Sequence, residues 1–133
     1  YADGWIRSEE LTPPLSAGEA QTWLEPQDVA VILDDNVRAS AGPVLRMGVR
    51  LPVVETNHDG LDPGSWSATV LVPTRDGLVQ AHLDVNERVH LGDLTLSRES
   101  ALNVAFRRLG DPYGWGGYQG GRDCSRLLLD VFA

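Results

Sequence analysis

Within Val89-His90-Leu91-Gly92-Asp93-Leu94-Thr95-Leu96-Ser97-Arg98-Glu99-Ser100-Ala101-Leu102-Asn103-Val104-Ala105-Phe106-Arg107-Arg108-Leu109-Gly110 the apolar period changes. Up to Leu96 it is the two-residue period of a strand. From Ser97 onward Leu102, Ala105, Phe106 and Leu109 fall at i, i+3, i+4 and i+7, one face of a helix. Ser97 is suited to N-cap that helix, and Glu99 puts a negative charge in its first turn, where the helix dipole favours it. Gly110 suits the position just past the end, and Pro112 forbids continuation. The chain therefore divides near Ser97 into a β-rich part and a helical part.

Upstream, Val29–Leu33, Val49–Val54, Ala68–Val72, Leu78–Leu83 and Val89–Leu96 are short runs rich in β-branched residues. Turn chemistry separates them: Asp34-Asp35-Asn36, Ala41-Gly42-Pro43, Asn57–Gly64 and Pro73–Gly77. Asp76-Gly77 between two apolar runs signals a hairpin. Pro52 inside a run points to an edge strand or a bulge. Five such strands predict a small, strongly bent barrel over residues 27–96. Residues 1–26 read as the end of a preceding module or a linker. In them Gly4-Trp5-Ile6-Arg7 looks like one strand, and Ser16-x-x-Glu19 has capping-box spacing for a short helix through Trp23 and Leu24. The expected class is α+β.

Downstream of Pro112 a Gly-rich stretch, Tyr113–Gly121, ends at Arg122-Asp123-Cys124-Ser125 and a second helix. Leu127, Leu128, Val131 and Phe132 supply its apolar face, so the helix is expected to be buried, with Cys124 rigid at its tip. A helix start favours thiolate, because unpaired N–H groups and the dipole stabilise negative charge. Glycines before the thiol let a substrate backbone approach closely. No stop signal follows the helix within the sequence. The reading is that a C-terminal part is missing, or that the protein is cleaved and the remainder stays attached as a second chain. The start at Tyr1, with no basic-plus-apolar leader, reads as a processed or trimmed product.

Composition narrows the function. Among 133 residues there are 19 acidic and 11 basic side chains, all of the latter arginine, for a net charge of −8. An acidic chain without a basic stripe is a poor partner for nucleic acid, whose affinity comes mostly from phosphate neutralisation. No apolar run is long enough to span a membrane. The single cysteine excludes an internal disulfide and a Cys-rich zinc site. Asp34-Asp35 and Asp59/Asp62 do not have the spacing of a calcium loop, so no metal and no cofactor is expected.

Leu109-Gly110-Asp111-Pro112-Tyr113-Gly114-Trp115-Gly116-Gly117, then Asp123-Cys124-Ser125, resembles the opening of the NlpC-type cysteine peptidase domain. That is a papain-like group of bacterial cell-wall hydrolases, whose members typically read Leu-Gly-x-Pro-Tyr-x-Trp-Gly-Gly, a short gap, Asp-Cys-Ser and an apolar helix. The resemblance covers residues 97–133, the N-terminal part of such a domain. Asn36-Val37-Arg38-Ala39-Ser40-Ala41-Gly42-Pro43 is similar to a stretch of bacterial SH3-like barrels, which commonly precede this peptidase.

The resemblance implies a secreted or periplasmic hydrolase of the cell envelope that acts on peptidoglycan stem peptides, at the bond between γ-D-glutamate and a diamino acid. Cys124 would be the nucleophile. Tyr113 matches the tyrosine whose hydroxyl helps to stabilise the oxyanion. Asp123 and Ser125 match positions that hold the peptide, and Trp115 is counted with them. Many members carry Gly where this chain has Arg126, read as a clamp for the D-glutamate α-carboxylate because guanidinium grips carboxylate in two-pronged fashion. The family's general-base histidine lies downstream of the cysteine, and here His58, His82 and His90 all precede it. Either the base is supplied separately, as by a second chain carrying the C-terminal half of the domain, or the 133 residues are inactive. The alternative is a non-catalytic peptidoglycan-binding module with a degenerate peptidase remnant.

Overall fold

Ala68, Val70 and Val72 are fully buried along one face of a strand, and Ala81 and Leu83 answer them from the next. This alternation builds the centre of the molecule. The computed structural model describes residues 13–26, 28–58, 66–115 and 121–132. The expected strand at Gly4–Arg7, the Asp59/Asp62 pair and loop residues 116–120 lie outside the described residues. Five strands, β1 (Val29–Ile32), β2 (Arg50–His58), β3 (Trp66–Thr74), β4 (Gly77–Val85) and β5 (Val89–Leu91), form one antiparallel sheet in the order β4-β3-β2-β1-β5. Helix α1 (Ala17–Leu24) precedes the sheet; α2 (Arg98–Phe106) and α3 (Cys124–Val131) follow it. The class is mixed α and β, as expected.

The expected barrel is not closed. β4 and β5 are the two edges of the sheet, and no ladder joins them among the described residues. They are nonetheless consecutive in the chain, linked by residues 86–88, with the Val89 amide donating to the Asn86 carbonyl at 3.0 Å. A link that short forces the sheet to curl until its edges approach. The curl encloses Ala30, Ile32, Leu45, Leu51, Val70, Val72 and Leu83, with Trp23 of α1 packed against them. All four residues of β1 are buried, so both its faces are covered.

Local chemistry explains most boundaries. Ser16 caps α1 through a complete capping box with Glu19, and Ser97 caps α2, its Oγ accepting from the Ser100 amide at 3.0 Å. β2 lies inside the sheet, so Pro52 is not on an edge; a register shift between Val53 and Glu55 bends the strand one residue further on. β5 ends at Leu91 rather than Leu96, because Gly92 turns the backbone to φ +83°.

The two later helices differ from expectation in what they bury. On α2 the covered stripe is Ala101, Val104 and, past its end, Arg108, while Leu102, Phe106 and Leu109 face solvent. On α3 the one buried residue is Asp130, and Leu128, Leu129 and Phe132 are exposed. The leucines thus do not seal α3. Its inward face is chosen by the aspartate, which two arginines hold, and that choice rotates the leucine side outward.

Candidate active site

The site is assembled at the N-terminus of α3. Asp123 is extended and caps the helix, its Oδ1 accepting from the Arg126 amide at 2.7 Å and from the Ser125 hydroxyl at 3.0 Å. Cys124, the first helical residue, carries an exposed thiol. The chain before it is paired with the loop after α2. The Gly114 amide donates to the Arg122 carbonyl at 3.1 Å, and the Arg122 amide donates to the Pro112 carbonyl at 3.2 Å. This short parallel bridge sets Tyr113 against Arg122 and places the tyrosine on the same cleft as Cys124. Tyr113, Asp123 and Cys124 line one open cleft of about 280 Å³, with Arg108, Arg122 and Leu127 among its other walls.

Three of the residues singled out in the sequence therefore share a cleft, and three do not line it. The Ser125 hydroxyl braces the capping aspartate. Arg126 is half-exposed on α3, with its Nε 2.9 Å from Asp130 Oδ1. Trp115 is 81% exposed. No histidine lines the cleft among the described residues. His82 projects from the exposed face of β4 near Thr69, and His90 lies on β5. No cluster of three potential metal ligands occurs among the described residues, nor is any helix there long and apolar enough to cross a membrane.

Gly121 is the tight point of the loop neck. A Cβ there would sit 2.7 Å from the Gly114 Cα, the Gly114 nitrogen and the Pro112 carbonyl oxygen, all backbone atoms that cannot swing aside. Gly121→Ala is expected to cost about 1–3 kcal/mol, the usual range for overpacking. Urea unfolding monitored by tryptophan fluorescence measures it, and an unchanged midpoint would show that the neck is not held as described.

Behind the cleft lies a charge network that sequence reading missed. Arg122 uses all three of its nitrogens: Nε donates to Asp130 Oδ2 at 2.7 Å, Nη1 to Asp111 Oδ2 at 2.8 Å and Nη2 to Asp35 Oδ2 at 2.8 Å. Arg108 donates to Asp34 and lies 3.4 Å from Asp35 and 3.6 Å from Asp111. Arg88 pairs with Asp34 at 3.5 Å and donates to the Asp35 carbonyl. Asp34 and Asp35 sit in the turn after β1, and Asn36 completes that turn in the left-handed region at φ +61°. The sheet is thus joined to the helical part by arginines meeting an aspartate pair. From sequence the pair reads as turn chemistry and as a calcium candidate of the wrong spacing, with no sign of these arginine partners.

Burial alone would raise the Asp34 carboxyl. Hydrogen bonds from Arg108 and the Asp35 amide, with the charges of Arg108 and Arg88, hold it below the ordinary range. Asp35 is likewise pushed up by burial and then held low by the Met47 amide, by Arg122 and by the charge of Arg108. Burial disfavours the Arg122 cation, yet Asp130 and Asp35 outweigh that and raise its pKa. The two carboxyls being depressed in the fold, the stability they confer is complete above the unfolded value of about 3.9 and is lost as pH falls through the folded values. Thermal midpoints are therefore expected to fall steeply below about pH 4. Asp34→Asn/Asp35→Asn should flatten that fall. A double variant with the wild-type slope would remove these groups from the acid response.

In comparisons with known proteins, no family model, no curated protein and no solved structure matches this chain.

Proposed function

We propose that this chain carries the nucleophile-bearing part of a bacterial cell-wall cysteine endopeptidase that cleaves the γ-D-glutamyl–diamino acid bond of peptidoglycan stem peptides. The observation that carries the reading is the exposed Cys124 thiol at the start of α3, in one cleft with Tyr113 and Asp123. On this reading the SH3-like module is the curled sheet, and α2 and α3 are the first helices of a papain-like domain. The protein acts in the cell envelope, periplasmic or secreted.

The chemistry runs in two halves. The Cys124 thiolate adds to the γ-glutamyl carbonyl, and Tyr113 and the first N–H groups of α3 face the developing oxyanion. The intermediate collapses to a thioester and expels the amine of the diamino acid, which takes its proton from the histidinium. Water, deprotonated by the same histidine, hydrolyses the thioester and regenerates the thiol. The histidine belongs to the C-terminal half of the domain, which these 133 residues do not include. The exposure of Leu102, Phe106, Leu109, Leu128, Leu129 and Phe132 supports this reading, because large apolar side chains on both helices are what the rest of such a domain would cover.

The absence of a histidine among the described residues that line the cleft favours a second reading, a non-catalytic peptidoglycan-binding module. Purified sacculi and defined stem peptides, incubated with the complete gene product, separate the two. New dipeptides in the mass spectrum support the endopeptidase. Retention on sacculi without any cleavage supports the binding module.

A further inference from the structure

Arg122 lies one residue before the helix cap and two before the thiol. Its three nitrogens each engage a carboxylate from a different place. Asp130 is nearly two turns along α3, Asp111 belongs to the loop that leads into Tyr113, and Asp35 belongs to the turn after β1. The guanidinium side chain is only 9% exposed, so these bonds are poorly replaced by water. Of the three carboxylates, Asp35 is the one rooted in the sheet. Its other oxygen accepts from the amide of Met47 at 3.0 Å, and Met47 is fully buried. A continuous path thus runs from the packed core through the Asp35 carboxylate and Arg122 to the two segments bearing Tyr113 and Cys124.

We propose that Asp35 is a positioning residue for Cys124: by anchoring Arg122 to the sheet it fixes the start of α3 and the thiol upon it. The upstream β module is then a working part of the site and not a tether. The inference rests on the reading of Cys124 as the nucleophile, but its test reads the thiol and not the peptidase reaction. A failure here leaves peptide release by the complete protein untouched as evidence for that reading.

Because Cys124 is the sole cysteine, alkylation by iodoacetamide followed by intact mass reports on it alone. Asp35→Asn is expected to slow alkylation at pH 7 by about five-fold, the size of a lost helix-terminus interaction. Asp35→Glu, which restores the charge, should return the rate to within about two-fold of wild type. Asp34→Asn is the matched control, since Asp34 also joins the two parts but through Arg108, and it should stay within the same two-fold. An Asp35→Asn rate at the wild-type level, or an equal slowing by Asp34→Asn, would overturn the proposal. If Asp35→Asn does not fold, Arg122→Lys carries the test, because an ammonium cannot reach three carboxylates in one plane. A wild-type rate in that variant overturns it too.

Discussion

Cys124→Ala is expected to abolish dipeptide release from digested peptidoglycan by the complete protein, a fall of at least about 10⁴-fold, as when a covalent nucleophile is removed from a working catalytic group. The expectation follows from the contents of the cleft. Cys124 is its one thiol. The Ser125 hydroxyl is turned to the capping carboxylate, and the Tyr113 hydroxyl suits hydrogen bonding to an oxyanion better than attack at neutral pH. Among the described residues that line the cleft no second nucleophile stands ready to take over. Alanine preserves the helix start, being an excellent helix former, so a loss of rate would not be a loss of fold. Circular dichroism of the variant, matched to wild type, makes that separation. Hydrolysis at the wild-type rate by a folded Cys124→Ala protein would end the endopeptidase proposal.

Arg122→Ala is expected to be the most damaging single change to stability. It strips three carboxylates of their shared cation, and Asp130 has a side chain only 2% exposed. Removing one partner of a buried ion pair costs about 3–5 kcal/mol, because the remaining charge stays desolvated. Arg126 still reaches Asp130, which places the expected loss at the lower end, about 3 kcal/mol. With a urea slope of about 2 kcal/mol per molar, the unfolding midpoint should drop by about 1.5 M. A loss below about 1 kcal/mol would mean that the network behaves as an ordinary surface pair, and that the join between sheet and helices is held by something else.

What could be read from the sequence was what short-range chemistry decides. Each of the five strands overlaps an apolar run, although β2 and β3 extend into the expected turns at Asn57 and Pro73 and β5 stops short, and the Ser16 and Ser97 caps form as their spacing requires. The hairpin between β3 and β4 pairs Thr74 with Gly77, with the Thr74 hydroxyl donating to the Gly77 carbonyl at 2.8 Å. In the candidate site, the place of Cys124 at a helix start and the capping by Asp123 follow from the same local rules. The early end of β5 at Gly92 is a local misreading, but the larger ones are long-range. An apolar stripe at helical spacing says that a helix has a greasy side, not that this side meets a neighbour; Leu102, Phe106 and Leu109 do not. Asp34 meets Arg108 across 74 positions and Asp35 meets Arg122 across 87, and no periodicity links residues so far apart. Arg126 meets Asp130 one turn further along α3, a local contact at helical spacing, and its side chain stays 43% exposed.

The aspartate pair after β1 has a consequence for modular exchange. Small curled sheets are often treated as interchangeable attachments, to be swapped in front of a functional segment at will. Here a grafted replacement for residues 28–92 would have to present two adjacent carboxylates at the spot where Arg108 and Arg122 emerge, or leave Arg108 without its Asp34 partner and Arg122 without one of its three carboxylates at the seam. Donor sheets for such chimaeras are therefore best chosen by whether they carry an acidic doublet in that turn, ahead of any likeness in the remainder of their sequence.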